Sequence, residues 1–431
     1  MQSRRKQPEH RTRDRRGDSI RSQAAEQTRP QAIIICYSCK PGAGSERGAG
    51  WHWAKAAATF SDVVLITPST YQAEIDAAIR EFDLCITVRY VDLPERIHKM
   101  LRGHRFRVMV DYMFWQLIAS RIIRQLERED QIDVVHHVTW ASDSLPSAFL
   151  ASRAPVRIWG PIGGTTRTAR GLYRYLSAKG KMDEVIRNVM NGFCRRLFGT
   201  RAATHATLIV ALNRDVEVRW GQGRRPVVVE SNTALETAEL TAGDDIGESE
   251  FAHERTALFV GRLIPWKGLL LAVESLRHAP NWRLVVFGEG PDQFRAAKLA
   301  QQIGVEDRLV FRGQVPRSEV LAAFRNADAL LFTSFHDSAP WAVGEASALG
   351  CPVLCLDAGG PALQGGRNAH VVSIEPAFTL PQRIGEQLQE LCSRGTPDDS
   401  LRADRLPGLL REWYLGYDAE TASSRSPTHS L

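Results

Sequence analysis

The run Gly261-Arg262-Leu263-Ile264-Pro265-Trp266-Lys267-Gly268 places two cations among glycines, just after the apolar residues 257–260. Glycines leave backbone N–H groups unobstructed. Arg262 can chelate oxygens two at a time, Lys267 is a mobile point charge, and a helix starting there adds partial positive charge at its N-terminus. The combination suits a diphosphate, although a basic surface turn has the same composition. Phe287-Gly288-Glu289-Gly290-Pro291 follows another apolar run, and its glycines would allow close backbone approach to a ligand or a plain strand-to-helix turn. Within residues 334–345, Asp337 and Glu345 stand eight apart. Asp337 is read in a loop and Glu345 at the start of a helix, a favourable place for a carboxylate. Both could accept hydrogen bonds from sugar and ribose hydroxyls, or Glu345 could serve only the helix end. Asp357-Ala358-Gly359-Gly360-Pro361 is a further glycine-rich turn after an apolar run.

These loops need strands to carry them. Residues 257–260, 283–287, 309–312, 329–333 and 352–357 are short apolar runs. Between them, 269–277, 292–303, 319–326 and 343–350 read as helices. The first half repeats the alternation. Runs at 32–36, 63–67, 132–136, 156–159 and 208–211 read as strands, 40–50 as a glycine-rich loop, and 51–60 and 112–128 as helices. Continuous apolar strands alternating with helices predict parallel sheets covered on both faces. Two such α/β domains in tandem make a cleft, and ligands of open α/β sheets bind beyond the carboxyl ends of the strands.

At 431 residues the chain suits two domains, and no stretch is apolar for long enough to span a bilayer. The start lacks the apolar run of a signal peptide, so a cytoplasmic protein is expected. The net charge is +6, and residues 1–30 hold nine Lys and Arg against four Asp and Glu, a balance of +5. Such a polar tail is expected to be disordered; it could touch nucleic acid or anionic lipid, or simply be solvated. Outside it the chain is nearly neutral, which disfavours a nucleic-acid function. The expected division is a disordered tail at 1–31, a domain at 32–240, a linker at 241–250, a second domain at 251–400, a C-terminal helix at 401–420 and a disordered end at 421–431. Cys36 and Cys39 form a Cys-x-x-Cys with no second ligand pair nearby, so neither zinc nor redox chemistry is favoured. Residues 96–115 mix Arg, Lys and His with Met, Phe, Tyr and Trp. They fit a membrane-facing amphipathic patch or an ordinary helix with a basic outer face.

Order and spacing from Gly261 to Pro361 resemble the C-terminal domain of the retaining, GT-B-fold glycosyltransferases of family four (glycosyltransferase group 1). The loop Gly261–Gly268, the turn Gly288–Pro291, Asp337 with Glu345, and Ala348 through Val353 carry the likeness. In the first half, Pro41-Gly42-Ala43-Gly44-Ser45-Glu46 before Trp51-His52-Trp53 resembles a bacterial polysaccharide-biosynthesis branch. So do His136-His137-Val138-Thr139-Trp140 and Trp159-Gly160-Pro161-Ile162-Gly163-Gly164. The resemblance implies two Rossmann-like doubly wound domains and transfer of a sugar from a nucleoside diphosphate sugar to a glycan or lipid-linked acceptor. No cofactor or metal is implied.

It also implies residue roles. Arg262 and Lys267 would bind the diphosphate, Glu345 the ribose, and Asp337 the transferred sugar. Gly44, Ser45, Gly261, Gly288, Glu289, Gly290, Val315, Ala339 and Pro340 would line the donor site. His136 or His137 would contact the sugar and acceptor. Two departures stand out: Asp337 replaces the family's usual Glu, and position 138 is Val where a His-x-His would have its second His. The last helix, around residues 409–417, would cross back onto the first domain. Two other readings remain. A nicotinamide oxidoreductase would use Gly42, Gly44 and Gly48, but the second strand ends Ile66-Thr67-Pro68 without the acidic residue that a ribose needs. A degenerate transferase would bind a sugar nucleotide without turnover.

Overall fold

The computed structural model describes residues 29–94, 107–241 and 255–416. Residues 1–28, 95–106, 242–254 and 417–431, with most of the tail, linker and basic-patch expectations, lie outside the described residues.

The first sheet holds β1 (Gln31–Cys36), β2 (Asp62–Thr67), β3 (Ile86–Tyr90), β4 (Val134–Thr139), β5 (Val156–Ile162), β6 (Leu208–Ala211) and β7 (Val227–Val229), in the order β3-β2-β1-β4-β5-β6-β7. The second holds β8 (Arg255–Val260), β9 (Trp282–Phe287), β10 (Leu309–Gly313), β11 (Ala329–Phe332), β12 (Val353–Leu356) and β13 (Ala369–Val372), in the order β10-β9-β8-β11-β12-β13. Every pairing between these strands is parallel. The order reverses direction beside β1 and beside β8. Those switch points open crevices at the strands' carboxyl ends, where the loops of interest emerge. The expected α/β architecture of two doubly wound domains is therefore the one observed.

Several boundaries move. Gln31, assigned to the tail, begins β1, and Arg29 is anchored to Asp62 at 2.9 Å. Thr241, assigned to the linker, closes the helix Thr237–Thr241. The glycine-rich loop is shorter than read, because the helix Ser45–Ala58 already contains Gly48 and Gly50. A Cβ at Gly48 would lie 1.8 Å from the Ala43 carbonyl oxygen and one at Gly50 2.3 Å from that of Ser38. These glycines let a helix press against its own entry loop. The third strand of the reading, 132–136, runs instead from Val134 to Thr139.

Two segments cross between the domains. The helix Leu406–Leu415 returns to the first domain, where Trp413 and Tyr414 join the core with Trp53. In the other direction, Leu172, Tyr175 and Leu176 leave the first domain and enter the core of the second. Tyr175 donates its hydroxyl to Glu274 Oε2 at 2.6 Å, and Arg295 donates to the Tyr175 carbonyl at 2.9 Å. Among the described residues no helix is long and apolar enough to cross a membrane.

Candidate active site

The loop after β8 is shaped by glycines in the left-handed region, Gly261 at φ 145° and Gly268 at φ 78°. A Cβ at Gly268 would lie 2.1 Å from the Thr333 carbonyl oxygen, so only glycine lets this turn pack against the end of β11. The short 3-10 turn Pro265–Lys267 then aims Lys267 at the loop after β11, with its Nζ 2.5 Å from Asp337 Oδ2. Both side chains are mostly buried, at 15% and 16% exposure, so the ion pair is only weakly screened. Arg262, on the same loop, is exposed.

Gly288 and Gly290, expected to admit a ligand, instead admit this loop. A Cβ at Gly288 would lie 2.0 Å from the Gly261 carbonyl oxygen, and one at Gly290 2.4 Å from that of Leu263. The Glu289 carbonyl accepts the Leu263 N–H at 2.9 Å, while the Glu289 side chain is exposed. The two loops pack into one shelf.

Glu345 does not start its helix. The helix runs Trp341–Ala348 with Pro340 at its cap, which puts Glu345 in the second turn and removes the helix-end role. Its carboxylate is buried and accepts from Arg317 Nε at 2.7 Å. Burial pushes its pKa up, and the Arg317 charge pulls it back. Arg317 also pairs with Glu239 at 2.7 Å. The sequence reading missed Arg317 because its partners lie 28 and 78 residues away. Arg317 reaches Gly44 of the other domain: a Cβ there would lie 3.1 Å from its Nε. Val315 and Ala339 are half-buried nearby in sequence, and Pro340 is buried.

On the first domain's side, Glu46 organises the wall. Its Oε1 accepts the Trp140 N–H at 2.7 Å and its Oε2 accepts Asn232 Nδ2 at 3.1 Å. Burial raises the Glu46 pKa, and the Trp140 N–H opposes the rise. Ser45 (φ 62°) and Trp140 (φ 57°) both occupy the left-handed region, where bulky residues are uncommon and functional sites are over-represented. A cavity of about 370 Å³ lies between Glu46, Trp140, Ser142, Gly163 and Leu212 on one side and Ser338, next to Asp337, on the other. Ser45, next to Glu46 in the chain, is exposed.

The two histidines do not fit the role expected of them. Both are fully buried within β4. His136 Nε2 lies 2.8 Å from the Gly160 carbonyl, which can only accept, so Nε2 carries the proton and Nδ1 accepts from the Tyr414 hydroxyl at 2.9 Å. By the same argument His137 donates from Nε2 to the Thr139 carbonyl at 3.1 Å and accepts from Ser147 Oγ at 2.6 Å. Every ring nitrogen is engaged by protein. The strand continues three residues past His136, so Trp140 reaches the cleft instead. Cys36 and Cys39 are likewise buried, and burial pushes the Cys39 thiol up to about 12, away from redox or metal chemistry.

Residues 245–395 match the model of the family described as glycosyl transferases group 1. The second domain belongs to that family. Its chain is 36% identical over 120 residues to the D-inositol 3-phosphate glycosyltransferase of Corynebacterium glutamicum (strain R), a match covering 25% of this chain and 28% of that protein. A longer match, 26% identical over 312 residues, is to the protein of the same name from Acidothermus cellulolyticus, covering 64% of this chain and 62% of that one. The aligned part thus spans under a third of the first relative and under two thirds of the second. The fold is similar to the crystal structure of a glycosyltransferase from Rickettsia africae ESF-5, with a TM-score of 0.54 and 14% identity over 92% of this chain and all of that one. Lys267, Asp337, Arg317 and Glu345 all fall within the group 1 match.

Proposed function

We propose that this chain is a retaining glycosyltransferase that moves a sugar from a nucleoside diphosphate sugar to a hydroxyl of a glycan or lipid-linked acceptor. The observation that carries the reading is the Lys267–Asp337 pair, set on a glycine-built shelf opposite Gly44 and Glu46 of the other domain. A cation held by one carboxylate is ready to change partners. In the proposed cycle the donor diphosphate takes Lys267 from Asp337, with exposed Arg262 as a second cation. Asp337 is then free to accept hydrogen bonds from the sugar. Glu345, fixed by Arg317, accepts from the ribose.

As the bond from the anomeric carbon to the diphosphate oxygen breaks, the acceptor oxygen attacks from the same face. Its proton passes to the leaving phosphate, and Lys267 and Arg262 stabilise the charge that builds there. No covalent enzyme nucleophile, cofactor or metal is used. The histidines, locked in the core, take no part; the Trp140 loop and Glu46 place the acceptor instead.

The test is a nucleotide-release assay with UDP-, GDP- and ADP-sugars on wild type and Asp337→Asn. Release of one nucleotide, slowed in the variant with donor binding retained, supports the reading. Donor binding without release, across lipid and sugar acceptors, favours a sugar-nucleotide-binding protein instead.

A further inference from the structure

The helix Ala178–Cys194 carries an apolar stripe that nothing in the described structure covers. Met182, Val185, Ile186, Val189, Met190 and Phe193 recur at the three- and four-residue spacing of one helix face, and they are 42–67% exposed. Large apolar residues scattered singly on a surface need no explanation, but a contiguous stripe marks an interaction surface. Lys181, Arg196 and Arg201 flank it and are exposed, whereas the two carboxylates between residues 178 and 201 are turned away. Asp183 is half-buried and Glu184 is buried against Arg187.

A second exposed set lies on the helix Arg107–Glu129, where Val108, Met113, Phe114 and Leu117 precede exposed Arg121 and Arg124. Helix Arg107–Glu129 covers one face of the first sheet through Trp115 and Ile123, and the segment that follows helix Ala178–Cys194 packs on the same face through Ala202 and Ala206. They also flank one loop, which Tyr112 holds through the Pro146 carbonyl and Arg195 holds through Asp143.

The charge selects the occupant. Two copies meeting through this stripe would set cations against cations, whereas an anionic bilayer complements an apolar face rimmed by Lys and Arg. The opposite, polar face of the same helix supports the assignment. Lys179, Asp183, Glu184 and Arg187 line a cavity of about 510 Å³ whose far wall includes Trp266 and His336. Those two rings stack at 4.5 Å, and each immediately precedes a member of the Lys267–Asp337 pair. Asp292, 2% exposed, also lines the cavity and leaves one carboxylate oxygen without a partner there.

We infer that helix Ala178–Cys194 seats on an anionic membrane surface by its apolar stripe and brings the cavity on its polar face to the headgroups of membrane-held acceptors. The inference rests on the proposed function only for the acceptor; the seating itself stands apart from it.

The test is flotation of the full chain with phosphatidylcholine vesicles, with and without phosphatidylglycerol. Wild type is expected to float with the anionic vesicles and less so as salt is raised. Val189→Ser/Phe193→Ser is expected to lose about tenfold or more in partitioning while keeping its thermal transition and donor binding. Lys181→Glu/Arg196→Glu, which leaves the stripe intact, is expected to lose the preference for phosphatidylglycerol. Wild type that stays with neither vesicle overturns the inference. So does a serine variant that floats unchanged, or one whose only change is from dimer to monomer in sedimentation. Failure of donor binding in wild type would sink the proposed function and leave the flotation result to be read by itself.

Discussion

Lys267 Nζ and Asp337 Oδ2 lie 2.5 Å apart, joining the loop after β8 to the loop after β11. The two residues are 70 positions apart in the chain, and they meet because β8 and β11 are neighbours in the second sheet. If Lys267 hands its charge to a donor diphosphate, Lys267→Ala removes stabilisation of the leaving group. Turnover should fall on the order of 10²–10³-fold, the scale for deleting one preorganised transition-state contact. Steady-state nucleotide release checks this, and a variant within a few-fold of wild type would contradict it.

Glu345→Gln keeps the shape of the side chain but removes the charge that Arg317 faces. A ribose contact weakened in this way should raise the donor KM by roughly tenfold, about 1.4 kcal/mol, with kcat little changed. A fall in kcat at constant KM would place Glu345 in the chemical step rather than in donor binding.

Burial holds His136 down to about 3 and His137 down to about 4, so both are neutral when folded. In the unfolded chain each binds a proton below about 6.5. The unfolded state therefore takes up more protons as pH falls. The stability these residues allow is intact above pH 6.5 and drains away toward pH 4, at about 1.4 kcal/mol per pH unit for each histidine. Urea denaturation at a series of pH values measures the slope. A resonance assigned to His136 or His137 that titrates near the free imidazole value would show that this histidine reaches solvent after all.

Asp143 and Arg195 form a fully buried pair, with bonds of 2.6 and 3.1 Å, and Asp143 also accepts from Thr165 at 2.6 Å. Asp143→Ala leaves the guanidinium buried without its counter-charge and should cost about 3–5 kcal/mol. Chemical denaturation reads this directly. A loss below about 1 kcal/mol, the scale of an exposed pair, would mean that water reaches Arg195.

The two-domain plan was legible because central strands such as Ile33–Ile35 and Leu208–Ala211 are buried on both faces and leave unbroken apolar runs. The missed strands β3, β7 and β13 are half-exposed sheet edges: Arg89 interrupts β3, His370 interrupts β13, and the apolar run of β7 is only Val227–Val229. The helix at Ser45 was hidden because Gly48 and Gly50 read locally as loop, while their reason is contact with Ala43 and Ser38. Asp337 and Lys267 could be found from their loops, but Arg317 could not, since its value comes from Glu239 and Glu345. The histidines were misplaced by a strand that continues to Thr139, and by the partner Tyr414, 278 residues from His136.

The most direct test of the donor site is calorimetric titration of UDP-, GDP- and ADP-sugars into wild type and Lys267→Ala. Saturable binding of one nucleotide class by wild type, abolished or strongly weakened in the variant, is the predicted result. Absence of binding to every sugar nucleotide, or equal binding by both proteins, would contradict the account at its centre.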